Sequence, residues 1–225
     1  MRKIALIPTR EESEIPVVPY LKECGFDVHL LVDQKSIFTA YKEKINSLKL
    51  MKDDLVILCH DDIKILLDKD LFVPLLEETL SKRDSGFVGV AGTKQLGITG
   101  VWWDGLRNPQ SRTWLSGSVY HGNSLHQCDL TYFGPPSQVI VLDGVFLAAK
   151  GSTLNSIQLG KPKAFTGEWD FYDIWYTYQT HKKQLKNYTL PIPILHSSIG
   201  EVLFIDSWHA NREAFTANAS LPIQL

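Results

Sequence analysis

No stretch of this 225-residue chain approaches the run of about 18 apolar side chains that a membrane-spanning helix needs, so no transmembrane segment is expected. The apolar run nearest the start, Ile4-Ala-Leu-Ile-Pro8, is too short for the core of a secretion signal. Cysteine is scarce. Cys24, Cys59 and Cys128 are odd in number, widely spaced and never in a C-x-x-C pair. That argues against a disulfide framework or a structural zinc site and for a reducing compartment. A cytoplasmic location is the expectation, and the sequons Asn187-Tyr-Thr and Asn218-Ala-Ser are then expected to stay unmodified. An excess of positive charge is also missing. The 23 Lys and Arg face 25 Asp and Glu, a formal charge of −2, which argues against nucleic acid as a partner. Walker loops and G-x-G-x-x-G, G-x-S-x-G and H-E-x-x-H motifs are absent, which removes the commonest signatures of ATPases, dehydrogenases, serine hydrolases and zinc peptidases. Neither an internal repeat nor a low-complexity linker is visible.

What the chain does hold is an ordinary globular balance, 44% hydrophobic and 21% charged residues, at a length that suits one large α/β unit. As far as Ala91, strand-like and helix-like patterns alternate. Lys3–Pro8 reads as a strand and Thr9–Ser13 as a polar turn, and a short helix from near Ile15 and Pro16 ends at Gly25, a good C-cap residue. Asp27–Val32 reads as a second strand. Ser36 is placed to cap a helix whose apolar residues Ile37, Phe38, Tyr41, Ile45 and Leu48 recur at helical spacing. Leu55–Cys59 is a continuous apolar run, as a central parallel strand covered on both faces would be. Leu71, Phe72, Leu75, Leu76 and Leu80 make another helical stripe, and Gly86–Ala91 a fourth strand. This alternation predicts a mostly parallel, Rossmann-like sheet flanked by helices.

From Gly92 to about Pro136 the periodicity fades into a segment rich in Gly, Ser, Asn, Trp and Tyr, expected to be a long irregular insertion serving as a binding loop or lid. Pairing resumes at Gln138–Leu142 and Val145–Ala149, a helix is predicted over Glu168–Lys182, and Leu190–Leu195 with its two prolines suits an edge strand. Residues 200–225 read as a polar tail with some helix potential at Ser207–Ala214.

Two acidic places could carry chemistry. His60-Asp61-Asp62 directly follows the Leu55–Cys59 strand, and open α/β sheets bind ligands at the carboxyl ends of their strands. Adjacent carboxylates repel each other unless a cation relieves them. Mn2+ or Mg2+ holding a diphosphate would do so; a solvated turn or N-cap pair is the plainer alternative, and spacing alone weighs the two evenly. Asp170 and Asp173 lie about one helical turn apart, as capping charges or, if aimed into a cleft, as a general base. His196 closes the Pro191–Leu195 strand, as a hydrogen-bonded structural residue or as a metal ligand. Trp102, Trp103 and Trp114 sit in the irregular segment, where indole faces could stack on sugar rings or form a small core that organises the loop.

Taken in order, four segments resemble the family-2-like glycosyltransferases of GT-A fold: Val56–Ile63, Val141–Ala148, Phe171–Leu185 and Ile194–Gly200. The match is to a subgroup with His-Asp-Asp in place of Asp-x-Asp, and with the first strand it runs from residue 3 to about 200. The resemblance implies one GT-A domain, with a nucleotide-binding half over 1–91, an acceptor and catalytic half over 92–200 and a C-terminal tail over 201–225. It implies a nucleotide-sugar donor, UDP-linked by expectation, a glycan or other hydroxyl acceptor, and Mn2+ or Mg2+ as cofactor. By position, Asp62 and His196 would be metal ligands and Asp61 would contact the ribose or donor sugar. Asp143 and Gly144 would line the cleft for donor sugar and acceptor, and Pro8, Thr9, Arg10 and Asp33 fall where the family holds the nucleoside. Asp173 matches the carboxylate that deprotonates the acceptor in inverting members. Two residues depart from the commoner pattern: His60 replaces an Asp, and Tyr172 replaces a Glu, which leaves Asp170 as a rival base. The competing readings are a metal-dependent phosphohydrolase using Asp61 and Asp62 and a non-catalytic carbohydrate-binding module using the tryptophans.

Overall fold

Strand and helix alternate through the first half of the chain, and each boundary has a local cause. The computed structural model describes residues 1–10, 14–107, 110–197 and 206–225, so the Glu11–Ser13 part of the expected turn and the Ser198–Gly200 end of the last resembling segment lie outside the described residues. β1 (Lys3–Thr9) leads to α1 (Val17–Glu23), which stops just before Gly25 turns with φ +80°, and β2 (Asp27–Val32) follows. α2 (Ile37–Leu48) starts where the Ser36 hydroxyl accepts the Thr39 amide and ends on a left-handed Lys49. β3 (Leu55–Cys59) is buried along its whole length, and the short β4 (Ile63–Ile65) comes next. α3 (Lys69–Leu80) is capped by Asp68, whose carboxylate accepts the Asp70 amide. Phe72, Leu76 and Leu80 of α3 enter the core, but Leu71 of the predicted stripe is 60% exposed, since it lies one residue further round the helix.

β5 (Ser85–Gly89) and β6 (Ala91–Thr93) divide the predicted Gly86–Ala91 strand between two sheets. After β7 (Gln95–Leu96) come β8 (Leu115–Ser124) and β9 (Gln127–Gly134), an antiparallel hairpin. Much of the supposed irregular insertion is therefore ordered strand. Most of β9 faces water, which left no alternating apolar signal to read. β10 (Gln138–Val139), β11 (Val141–Leu142) and β12 (Phe146–Lys150) precede the short α4 (Gly151–Ser156). α5 (Tyr172–Lys182) starts later than predicted because Phe171 sits at φ +66°, outside helical space. β13 (Lys186–Thr189) and β14 (Ile194–His196) flank the prolines, which lie between strands instead of within one. α6 (Asp206–Asn218) and β15 (Ile223–Gln224) complete the described chain.

The main sheet has seven strands in the order β10-β13-β5-β12-β3-β1-β2. β1, β2, β3, β5 and β13 run one way, β10 and β12 the other. The sheet is thus mostly parallel in strand direction, as expected, and mixed through its two reversed strands. The reason is the second sheet, ordered β11-β6-β8-β14-β4 with β9 on β8. The chain enters it on leaving the carboxyl end of β5 and returns through Asp143–Val145 at that same end, so β12 must run antiparallel between β3 and β5. This return places Asp143 and Gly144 beside His60, whose amide donates to the Val145 carbonyl at 3.2 Å. Helix α6 is no polar tail: Trp208, Asn211 and Phe215 are buried against the body of the fold. Among the described residues, no helix is long and apolar enough to cross a membrane.

Candidate active site

β1, β2 and β3 end side by side, with Thr9 opposite Val32 and Leu6 opposite Leu58, so the loops that follow them share one edge of the sheet. That edge opens into a cleft of about 850 Å3. Five residues expected to hold the donor, Pro8, Thr9, Arg10, Asp33 and Asp61, line it together with His60. The Asp33 amide donates to the Thr9 carbonyl at 3.0 Å, which ties the ends of β1 and β2 together. Sequence reasoning did not place Gln34, Ile37, Trp169 and Tyr172 in this cleft, yet they line it too. Trp169 is 44% exposed and presents an indole beside the acidic stretch that precedes α5. An aromatic next to a suspected catalytic carboxylate was the available signal.

The second sheet supplies the partner of Asp62. β4 begins directly after Asp62 and pairs antiparallel with β14, which sets His196 opposite Ile63. His196 Nε2 lies 3.2 Å from Asp62 Oδ1 and 3.4 Å from His60 Nδ1, and His60 Nδ1 lies 3.9 Å from the same oxygen. The Ser197 amide holds the Asp62 carbonyl at 3.0 Å. The approach of His196 does not meet hydrogen-bond geometry, so the buried Asp62 Oδ1 accepts no hydrogen bond. A buried anionic oxygen without a proton donor, facing two imidazole nitrogens, is a donor set that fits a divalent ion. The three ligand atoms lie within 4.8 Å of one another, a span that metal bonds of about 2.0–2.3 Å can bridge. Burial pushes the Asp62 carboxyl up, but the imidazoles of His196 and His60 outweigh it and leave the group below its ordinary value. Burial and the neighbouring His196 hold His60 below its own, favouring the neutral imidazole that ligates metals. His121 of β8 pairs in register with His196, its ring centroid 5.8 Å away, and was not foreseen.

A third cluster adjoins His60. The Asp143 amide donates to the Ala91 carbonyl and the Asp143 carboxylate accepts the Val145 amide, both at 2.9 Å, forming the turn that presents Gly144. The Gly144 amide donates to Asp173 Oδ2 at 2.9 Å, and the Tyr172 hydroxyl donates to the Gly144 carbonyl at 3.0 Å while lying 3.4 Å from His60 Nε2. A Cβ at position 144 would come within 2.4 Å of that hydroxyl and 3.0 Å of Asp173 Cβ, so only glycine fits. Burial and the nearby Asp143 charge push the Asp173 carboxyl up to about 7, against the pull of the Ile174 and Gly144 amides. A half-buried carboxyl poised there can take up a proton near neutral pH.

Two expectations meet different surroundings. The Asp170 carboxylate accepts the Ser207 hydroxyl at 2.8 Å, and the Asp170 carbonyl accepts Asn211 at 3.0 Å, so this rival base is tied to α6. Trp102 is 4% exposed and packs on Trp103 and Phe133, while Trp103 packs on Trp208. Of the two readings left open for these tryptophans, the packing of Trp102 and Trp103 matches the small aromatic core, because α6 supplies Trp208 to cover it.

A family model described as a glycosyltransferase-like family matches residues 18–215. The chain belongs to this glycosyltransferase family. Two solved structures share the fold at low identity. One is A197 from STIV, 18% identical with a TM-score of 0.52, with 92% of this chain and 87% of that one covered. The other is GalNAc-T7 with UDP, GalNAc and Mn2+, 10% identical with a TM-score of 0.54; the match covers 96% of this glycosyltransferase and 48% of that chain. No curated protein matches the chain. The fold is the mixed α/β architecture of GT-A enzymes, and the family match sets aside the phosphohydrolase and the non-catalytic module as descriptions of this glycosyltransferase.

Proposed function

We propose that this enzyme moves a sugar from a nucleoside-diphosphate donor, UDP-linked by expectation, to a hydroxyl acceptor in a divalent-metal-dependent, inverting displacement with Asp173 as base. One observation carries the reading: the His60, Asp62 and His196 group is joined through the Tyr172 hydroxyl and Gly144 to a carboxyl whose pKa is near 7. The related fold of GalNAc-T7, solved with UDP, GalNAc and Mn2+, supports the donor and metal class. Asp62 and His196, with His60 as the third group, would hold the ion; two imidazoles and one carboxylate suit Mn2+ better than Mg2+, which prefers oxygen. When bound, such an ion supplies the positive charge that a departing diphosphate needs.

The remaining steps belong to the chain's own residues. Pro8, Thr9, Arg10 and Asp33, which line the cleft, would hold the nucleoside and Asp61 the ribose or donor sugar, while Asp143 and Gly144, beside Tyr172, would face the transferred sugar. Asp173 accepts the acceptor proton as the acceptor oxygen bonds to the anomeric carbon and the bond from that carbon to the diphosphate oxygen breaks, its electron pair leaving with the diphosphate.

The test is a panel of nucleotide sugars assayed with Mn2+ for nucleoside diphosphate release and sugar transfer. Asp62→Ala is expected to lose both Mn2+-dependent donor binding and transfer. Asp173→Asn is expected to keep donor binding and lose about 10²–10⁴-fold in transfer rate. Wild-type transfer by Asp173→Asn would reject the assigned base, and phosphate release from simple esters without sugar-nucleotide turnover would reject the reaction.

A further inference from the structure

His60 and Tyr172 touch where the metal group adjoins the proposed base. The Tyr172 side chain is buried and packs on Tyr41 and Tyr176, with ring centroids 5.9 and 6.0 Å away, so its hydroxyl is aimed by the core. A phenol hydroxyl has one proton to donate. The Gly144 carbonyl, 3.0 Å away, can only accept, and it takes that proton. The other contact of the hydroxyl, 3.4 Å to His60 Nε2, must then run the opposite way, with the ring N–H donating to the phenol oxygen. That puts the proton of the neutral imidazole on Nε2 and leaves Nδ1 with a bare lone pair. Nδ1 is the nitrogen that faces the metal group, 3.4 Å from His196 Nε2 and 3.9 Å from Asp62 Oδ1.

The other tautomer would be unfavourable at both ends of the ring. Nε2 and the phenol oxygen would face each other with lone pairs, and a proton on Nδ1 would stand beside Asp62, where an ion has to bind. A ligating histidine needs a neighbour that settles this choice. Aspartate, the commoner residue at position 60, has no tautomer to settle, and glutamate at position 172 would add a negative charge next to Asp173. The two departures from the commoner pattern are therefore in contact and chemically matched. We propose that Tyr172 is a positioning residue for the metal centre: its hydroxyl holds the His60 proton on Nε2 and keeps Nδ1 open as a ligand atom. The proposal rests on the metal-dependent reading above and adds a residue that acts through one of the ligands.

The first measurement is made on 15N-labelled, metal-free, full-length protein. Long-range 1H–15N correlations show which ring nitrogen carries the proton in each of the seven histidines, with His60 assigned as the set missing from His60→Asp. The His60 proton should be on Nε2, and Tyr172→Phe should move it at least partly to Nδ1. The second measurement follows binding of Mn2+ alone by the paramagnetic resonance of the free ion. Tyr172→Phe should weaken binding roughly 10–100-fold, the range usual for partners of metal ligands. In the His60→Asp background the same change should cause no further loss, because an aspartate has no ring proton to place. An equal loss in that background would overturn the proposal, since it would show Tyr172 acting only through Gly144. A wild-type His60 protonated on Nδ1 would also overturn it, and this reading stands even if Tyr172→Phe does not fold. Unchanged Mn2+ affinity in Tyr172→Phe would remove the positioning role and leave the metal reading intact. Absence of Mn2+ binding by the wild type would remove both.

Discussion

Asp173 is held protonated to an unusual pH by its burial and by the charge of Asp143, and its titration has two measurable effects. A base must be ionised to work, so kcat/KM should rise through a limb near pH 7, and Asp173→Asn should flatten that limb along with the loss of rate. Stability should move the other way. Between the ordinary aspartate range and about 7, the unfolded chain has released this proton and the folded one still binds it, so rising pH across that window destabilises the fold. Urea unfolding of Asp173→Asn should therefore show more stabilisation relative to wild type at pH 8 than at pH 5. The position was legible through family resemblance, but its environment was not. Spacing alone could not choose between Asp170 and Asp173, because both suit one helical turn. The choice depends on Phe171, whose left-handed backbone leaves Asp170 outside α5 and facing Ser207, and on the Gly144 amide from 29 residues away.

At the scale of elements, Asn187 shows how much of the fold hangs on contacts that pattern cannot reveal. It begins a sequon, yet it is wholly buried in β13. Its Nδ2 donates to the carbonyls of Ile140 and Thr177, and its Oδ1 accepts from the Phe87 amide and the Thr180 hydroxyl. Every hydrogen-bonding capacity of the amide is used, so the side chain joins β5, α5 and the β10–β11 corner and offers no nitrogen to a sugar. Asn187→Ala should cost about 3 kcal/mol in urea unfolding, since the buried Phe87 amide and Ile140 carbonyl lose this partner, while the Thr180 hydroxyl and Thr177 carbonyl keep their bond to each other. The elements read well from sequence are those whose signals are complete within a short window. β2 and β3 have the bounds their apolar runs gave, and α2 starts on the serine that caps it. The direction of β12, the β8–β9 hairpin and the docking of α6 were not legible, because each depends on a surface supplied by another part of the chain. For α6 that surface is the Thr166–Asp170 backbone, which Asn211 grips with both ends of its amide.

For the whole molecule, the two-sheet plan explains why the acidic motif could be noticed and its partners could not. His60 directly follows β3 of the main sheet, His196 ends β14 in the second, and Asp62 sits on the short link between the sheets. The two histidines stand 136 positions apart and the sequence between them carries no trace of this meeting; the pairing of β4 with β14 creates it. An ion taken up there would act as a staple across the seam, and mass action sets its strength. A ligand bound only by the folded state, at a hundred times its Kd, adds about 2.7 kcal/mol, roughly 5–10 °C in Tm for a chain of this size. The melting temperature should therefore climb with added Mn2+, climb less with Mg2+, and stay flat for His196→Ala. A simple heating curve would then report which metal the seam accepts before any sugar, donor or acceptor has been identified.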